Sequence, residues 1–330
     1  MFCGVEFDKE YNLEEIGITQ SMIKTYLTCP AKFLFKAKRW YLPGGDNRTT
    51  SFGTMFHHII EKVYNWYKVT GETPDNGTVS VWLDLFINSE DNDISGKSSL
   101  EVQIDALIVE VLIEEYVKQY KNDFKKSKVL FVERPVVVVI DGIKYRMKID
   151  LGLQFDGFNY TLDHKTSSRI NENAMPKMLS FDFQHQIYTM GVEAADKIKI
   201  NGSYHNVIRR PETRAKITQD DFDDYRKKLK GDIRKNPSHY FKRYIISYTE
   251  EDKAKFKKEL GVIMKQIRYS IDNNEVYRNS TRCLDFSACQ FLEACSSESI
   301  AGYAQADTLF KELGDGYAVS FKNKTRRPRC

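Results

Sequence analysis

No part of this 330-residue chain approaches the roughly 20 consecutive apolar residues that span a bilayer, and its longest β-branched run, Val136 to Ile140, is far too short. The opening stretch MFCGVEFDKEYNLEE puts acids where a secretory signal needs a basic and then an apolar segment, so a soluble, cytoplasmic protein with no membrane association is expected. Neither an internal repeat nor a low-complexity tract is present. The C-x₂₋₄-C spacing that structural zinc sites favour is also missing. Nor is there an excess of one charge: 50 basic against 46 acidic residues leave only +4, which neither demands nor excludes nucleic acid as a partner.

What is present suffices for a folded protein. With 41% hydrophobic and 13% aromatic residues the chain can bury a sizeable core, which excludes disorder as its main state. The length suggests one elaborated domain or two. Positive charge is clustered at Arg209 and Arg210, from Arg226 to Lys230 and from Lys322 to Arg329. The six cysteines, in a reducing compartment, are read as metal ligands or isolated thiols, not as a disulfide framework.

The first third reads as mainly α. Met22, Ile23, Tyr26 and Leu27 share a helical face with Ser21 as a plausible N-cap, and Pro30 interrupts and restarts the helix as a first-turn residue. Further helices are expected over Gly53–Lys68 and Leu100–Tyr120, with a turn-rich segment from Thr70 to Thr78. The period then falls towards two. Lys128–Ile140, Lys144–Phe155 and Tyr160–Lys165 read as successive strands joined by Asp141-Gly142 and Asp156-Gly157, both strong hairpin signals. A helix over Phe181–Asp196, a strand over Ile198–Ile208 and charged helices near Gln219–Arg234 and Glu250–Ile271 follow. The expected architecture is α/β, a small mixed sheet flanked by helices, divided as a helical part over 1–127, a core over 128–248 and a helical, cysteine-bearing segment over 249–330.

The richest stretch is RMKIDLGLQFDGFNYTLDHKTSS. Asp150 lies in the second strand, and Asp163 and Lys165 project from one face of the third, about 6.5–7 Å apart along it. Two converging carboxylates suit a hard cation such as Mg²⁺ or Mn²⁺. A neighbouring lysine can orient or help deprotonate a water and offset charge on a phosphate. This is chemistry for metal-dependent phosphodiester hydrolysis, although a solvated hairpin would also carry such charges.

These residues resemble the PD-(D/E)xK nuclease superfamily, in particular its RecB and AddB branch and the related iron-sulfur CRISPR-associated exonucleases. Ile149 stands where the motif's proline usually lies. Gly53-Thr54-Met55-Phe56-His57, with Glu61 one turn later and His58 adjacent, resembles the family's G-x-x-x-H helix. Glu133 resembles the acid that opens its strand segment, and Gln184 and Tyr188 match its Q-x-x-x-Y, on one helical face. The resemblance implies a restriction-endonuclease-like core and a divalent cation held by His57, Asp150, Asp163 and the His164 carbonyl. Lys165 would then position or activate the attacking water, and Gln184 and Tyr188 would line the site.

Cys283, Cys289 and Cys295 recur at equal spacing, and Cys29 precedes Pro30 far upstream. This set resembles the family's [4Fe–4S] staple joining the N-terminal helix to the C-terminal segment, with zinc or free thiols as the alternatives; Cys3 and Cys330 are not expected to be ligands. Together the resemblances imply a metal-dependent DNA exonuclease acting on single strands or duplex ends. Phosphates would meet basic residues of the 209–235 region and the C-terminal tail, and repair, recombination or CRISPR proteins are candidate partners. The alternative is a noncatalytic DNA-binding or assembly subunit that keeps the fold.

Overall fold

The computed structural model describes residues 5–6, 11–43, 48–89, 98–212, 218–285, 288–314 and 316–321. Cys3, Cys330 and the basic run from Lys322 to Arg329 lie outside the described residues. The main helices are α1 (Gln20–Thr28), α2 (Pro30–Ala37), α3 (Arg48–Thr70), α4 (Asn76–Ile87), α5 (Ser99–Gln119), α6 (Phe183–Asp196), α7 (Phe222–Lys235) and α8 (Glu250–Asn273). The central sheet is formed by β1 (Ile18–Thr19), β2 (Ser127–Ile140), β3 (Ile143–Phe155), β4 (Phe158–Ser167), β5 (Gly202–Arg209) and β6 (Phe241–Ile246). This is a mixed α/β fold with a mixed sheet flanked by helices.

Most helix ends follow capping chemistry. The N-cap of α1 lies two residues earlier than the sequence suggests: it is Thr19, its Oγ1 accepting from the Met22 amide, while the Ser21 hydroxyl hydrogen-bonds to Thr19 Oγ1. Pro30 opens α2, where its missing N–H costs nothing. A reciprocal capping box between Ser98 and Glu101 starts α5. α4 begins at Asn76, inside the stretch expected to be a turn, with Asp75 as its cap.

Both Asp-Gly turns adopt positive φ at both residues: 51° and 77° at Asp141 and Gly142, 47° and 83° at Asp156 and Gly157. That geometry matches the twist of the flanking strands and locks their registers. β3 pairs with β2 along its whole length. On its other edge it pairs first with β1, in parallel at Tyr145 and Arg146, and then with β4 from Leu151 to Phe155. β4 runs parallel to β5, with α6 in the crossover, and β5 pairs antiparallel with β6.

Two hydrophobic clusters share the long β2–β3 hairpin. One gathers Met22, Phe33, Phe35, Val192, Leu260 and Phe291 around Val136, Tyr145, Met147 and Ile149. The other gathers Phe56, Ile59, Leu83, Leu112 and Ile233 around Val129, Leu151, Leu153 and Leu162. Ile149 belongs to the first and Leu151 to the second, so Asp150 lies where the two cores meet. Within the first, the stacked Phe35 and Phe291 rings (centroids 4.7 Å apart) and the pairing of Trp40–Tyr41 with Ala304–Gln305 bring distant parts of the chain together. Such ring pairs contribute about 0.5–1.5 kcal/mol beyond the burial itself.

The segment before β1 is hooked onto β3. Lys144 donates its amide to the Leu13 carbonyl, and the Arg146 Nε donates to the Ile16 carbonyl. Gly17, at φ 83°, is required here because a Cβ would stand 2.4 Å from the Lys144 carbonyl oxygen, a backbone atom with little freedom to move. Gly17→Ala is expected to lower stability by about 2–3 kcal/mol through left-handed strain and overpacking, measured as a fall in the urea midpoint at unchanged m-value.

Candidate metal centre

The site begins with a parting of strands. The last β3–β4 pair is Leu151 with Leu162, and continuing the register places Asp150 across from Asp163. The strands then diverge. The His164 amide does not find a carbonyl on β3 and instead donates to Asp150 Oδ2 at 2.8 Å.

Glu133 completes a row of acids. Counting back from Ile140 and Ile143 with no shift puts it opposite Asp150, yet it is absent from the ladder between the Val132–Leu151 and Arg134–Ile149 pairs. Its φ of 45° is left-handed, a strained conformation for a residue with a Cβ, and strain of this kind concentrates at functional sites. Lys148 holds Glu133 Oε2 at 2.7 Å, and Lys165 holds Asp163 Oδ1 at 2.9 Å.

α3 delivers the histidine. Gly53 lets the helix approach β4 closely, since a Cβ there would come within 3.1 Å of Thr166 Oγ1. One turn later His57 Nδ1 lies 3.6 Å from Asp150 Oδ2, whereas His58 packs on Phe86. His57, Glu133 and Asp150 each offer a donor atom within 4.8 Å of the others. Glu61 lies close enough for Glu133, together with burial, to raise its carboxyl above the usual range.

α6 supplies the opposite wall. Gln184 Nε2 donates to Asp163 Oδ1 at 2.7 Å and to the Tyr188 hydroxyl at 3.1 Å, so the one-turn spacing brings both to the site. Asp163 is not in the single-ion group with His57. One of its oxygens is engaged by Lys165 and Gln184, and the other faces His205, level with it on β5, at 3.7 Å.

The His164 ring lies between Asp150, 3.9 Å from its Nδ1, and a buried polar network. Its Nε2 meets the Tyr116 hydroxyl at 3.1 Å, and Tyr116 also contacts Tyr64 and accepts from Asn206. Arg243 on β6 grips Asp123 through two bonds of 2.6 and 2.8 Å and stacks over Tyr120, 3.7 Å from the ring centre. Breaking a buried pair of this kind typically costs about 3–5 kcal/mol, so the network is a rigid backing for the His164 segment.

The charges are unequally held. Burial, then the nearby Asp163 and Glu133 charges, push the Asp150 carboxyl well above the usual carboxylate range. Asp163 is also buried, but the Lys165 ammonium and His185 outweigh that and hold it below the usual range. Lys165 overcomes its own desolvation through Asp163 and Asp150 and stays protonated. Burial keeps His57 neutral, with a lone pair to offer. One imidazole and two carboxylates converging on a point, one of them costly to ionise without a cation, fit Mn²⁺ or Mg²⁺.

A profile of the PD-(D/E)XK nuclease superfamily matches residues 18–296. The chain belongs to that superfamily. Its members are nucleases that use divalent metals such as Mg²⁺ or Mn²⁺, and the strand fork with its acids lies within the matched residues. Two solved structures resemble the chain. A crystal structure from Eubacterium rectale, provisionally named an exonuclease, has a TM-score of 0.46 at 12% identity and covers 95% of this chain and 100% of its own. The protein SSO0001 has a TM-score of 0.30 at 12% identity, covering 74% of this chain and 84% of its own. At these values neither bears on the reaction, and no curated protein matches the chain.

The four cysteines split into two contacts. The Cys29 sulfur accepts from the Asn279 amide at 3.5 Å, and the Cys283 thiol lies 3.8 Å from the Asn279 carbonyl. Cys289 and Cys295 both lie near the Tyr303 phenol, and the Cys289 amide donates to the Cys283 carbonyl. All four are half-buried free thiols. Among the described residues, none falls in a group tight enough for a single ion.

The basic residues expected to meet phosphate are largely engaged elsewhere. Arg226, Lys230 and Arg234 of α7 pair with Glu110, Glu114 and Glu115 of α5 in a charged seam, and Arg210, just after β5, pairs with Asp105 of α5. Arg209 donates to the His239 and Ser168 carbonyls. A helix rich in cations reads the same on paper whether it faces DNA or an acidic helix. Among the described residues no helix is long and apolar enough to cross a membrane.

A raised Asp150 carboxyl links stability to pH. Its protonated form is favoured by folding, so its contribution is present at low pH and is lost as pH rises through the folded value. Urea unfolding of the protein in chelator, from pH 5 to 8, should show Asp150→Asn more stable than the wild type at the upper end and less dependent on pH. Added Mn²⁺ should stabilise the wild type and not the variant.

Proposed function

We propose that the protein is a metal-dependent DNA exonuclease of the RecB and AddB type. The observation that carries this reading is the row of Glu133, Asp150 and Asp163 at the strand fork, with Lys165 held against Asp163 at 2.9 Å and His57 3.6 Å from Asp150. His57, Asp150, Asp163 and the His164 carbonyl hold the cation, with Glu133 as a further ligand. The amide and carbonyl of an extended residue face the same neighbouring strand, and the His164 amide is turned into the fork. When bound, the ion supplies Lewis-acid activation of a water and neutralises charge developing on the phosphate.

The chain's own residues do the positioning. Lys165, protonated through its acidic neighbours, is a donor to the attacking water and the scissile phosphate and not a resting base. Gln184 fixes the rotation of the Asp163 carboxylate, and Tyr188 presents a protonated hydroxyl beside it, since burial raises that phenol far above neutral pH.

Cys29, Cys283, Cys289 and Cys295 are assigned to a [4Fe–4S] cluster that staples α1 and α2 to the chain after α8. Supporting this, Cys29 and Cys283 meet at Asn279, and Cys289 and Cys295 both lie near Tyr303.

The test is cleavage of linear and covalently closed DNA by anaerobically purified protein. Linear DNA should be degraded in Mn²⁺ or Mg²⁺ and spared in chelator, while closed circles stay intact. Asp163→Ala and Lys165→Ala should each lower the rate by about 10²-fold or more with DNA binding retained. Folded wild-type protein that cuts neither substrate would overturn the reading. For the cluster, Cys283→Ser should bleach the visible iron-sulfur absorption and lower the unfolding midpoint; an unchanged spectrum would refute that assignment.

A further inference from the structure

Behind Asp163 lies a group of side chains that the proposed reaction does not use. His185 follows Gln184 on α6, and His205 sits on β5 in register with Asp163. His185 Nε2 and His205 Nδ1 are 2.9 Å apart, and His205 Nδ1 is 3.7 Å from Asp163 Oδ2. Each of the three residues has a donor atom within 4.8 Å of the others, and all three are buried.

Asp163 Oδ2 has no hydrogen-bond partner although the residue is only 1% exposed. A buried carboxylate oxygen left in this way is costly, and it points at two nitrogens that must compete for one proton. We propose that Asp163, His185 and His205 form a second divalent-cation site, for an imidazole-preferring first-row ion of which Zn²⁺ is the type, on the far side of Asp163 from the first.

The geometry suits such an ion. With bonds of about 2.0–2.2 Å, the 2.9 and 3.7 Å separations correspond to ligand–metal–ligand angles of about 90° and 120°. Two imidazoles and one carboxylate favour Zn²⁺ over Mg²⁺. An orienting partner is in place: His185 Nδ1 meets Ser203 Oγ at 2.6 Å, and Ser203 accepts from Thr161 Oγ1 at 2.9 Å. With Nδ1–H donated to Ser203, Nε2 presents its lone pair inward. The cation then takes the place of the proton shared by the two rings. The His205 side chain keeps 10% of its surface in contact with solvent.

The site would fix Asp163 from behind and leave Oδ1 to Lys165, Gln184 and the first cation. Its existence does not depend on the nuclease reading; only the importance given to Asp163 does.

The chain has six histidines, so each imidazole can be assigned in ¹⁵N-histidine-labelled full-length protein by single substitution. Titration with Zn²⁺ should shift the His185 and His205 ring nitrogens together, in the wild type and equally in His57→Ala, where the first site is disabled. His205→Asn should bind one equivalent of Zn²⁺ less than the wild type and lose the part of the Zn²⁺-induced rise in Tm that His57→Ala retains. If His205→Asn does not fold, the wild-type spectra decide alone. Unmoved His185 and His205 signals at Zn²⁺ concentrations that shift His57, or that load only the cysteines, would overturn the proposal. An unresponsive His57 would instead count against the first metal centre, so the two failures are distinguishable.

Discussion

The site depends on one hydrogen bond, from the His164 backbone amide to the Asp150 side chain. A β-ladder that simply continued would leave no space for chemistry, because each amide would be answered by a carbonyl on the next strand. Here the ladder ends at Leu151 and Leu162, and a side chain takes over the next amide. The strands can then separate without orphaning a donor, and the opening falls between two hydrophobic cores that hold its sides apart. Gly53 admits α3 to one wall, and the start of α6 closes the other with Gln184.

That arrangement concentrates negative charge where water is scarce. Burying acids side by side is unfavourable, and the structure limits the cost without removing it. Lys148 and Lys165 answer Glu133 and Asp163 respectively, while Asp150, between them, is left with His57 and a backbone amide. The strained backbone at Glu133 belongs to the same compromise, since extended geometry at that residue would keep it within the ladder. A metal-free centre of this kind is held under electrostatic tension by the rest of the fold.

Much of this was legible in the sequence because two-residue turns transmit register. Asp141-Gly142 and Asp156-Gly157 fix which residues face each other, so the three long strands and the meeting of Asp150 with Asp163 followed from spacing. Glu133 could have been placed by the same counting, although no pattern of residue types announces its left-handed φ. The strand Phe241–Ile246 went unseen because Lys242 and Arg243 break its apolar alternation, and Arg243 turns inward to Asp123, which only the fold reveals. Helix α4 was hidden for a different reason. Its apolar residues point in several directions, leaving Val81 and Leu85 exposed, so no single face marks it. His185 and His205 lie twenty residues apart and carried no motif, whereas Gln184 and Tyr188 stood out by their one-turn spacing.

The division of the two cores along the chain has a consequence for biosynthesis. The core built on α3, α4 and α5 draws on residues from Phe52 to Phe241, so it can consolidate as soon as that stretch has left the ribosome. The other joins Val5, Tyr11 and Phe33 to Phe291, Phe310 and Phe321, so its first-made members wait for nearly the whole chain to be translated. During that interval Phe35 lacks the Phe291 ring that stacks on it. The part of this core that precedes the sheet is thus completed only when the segment after α8 arrives.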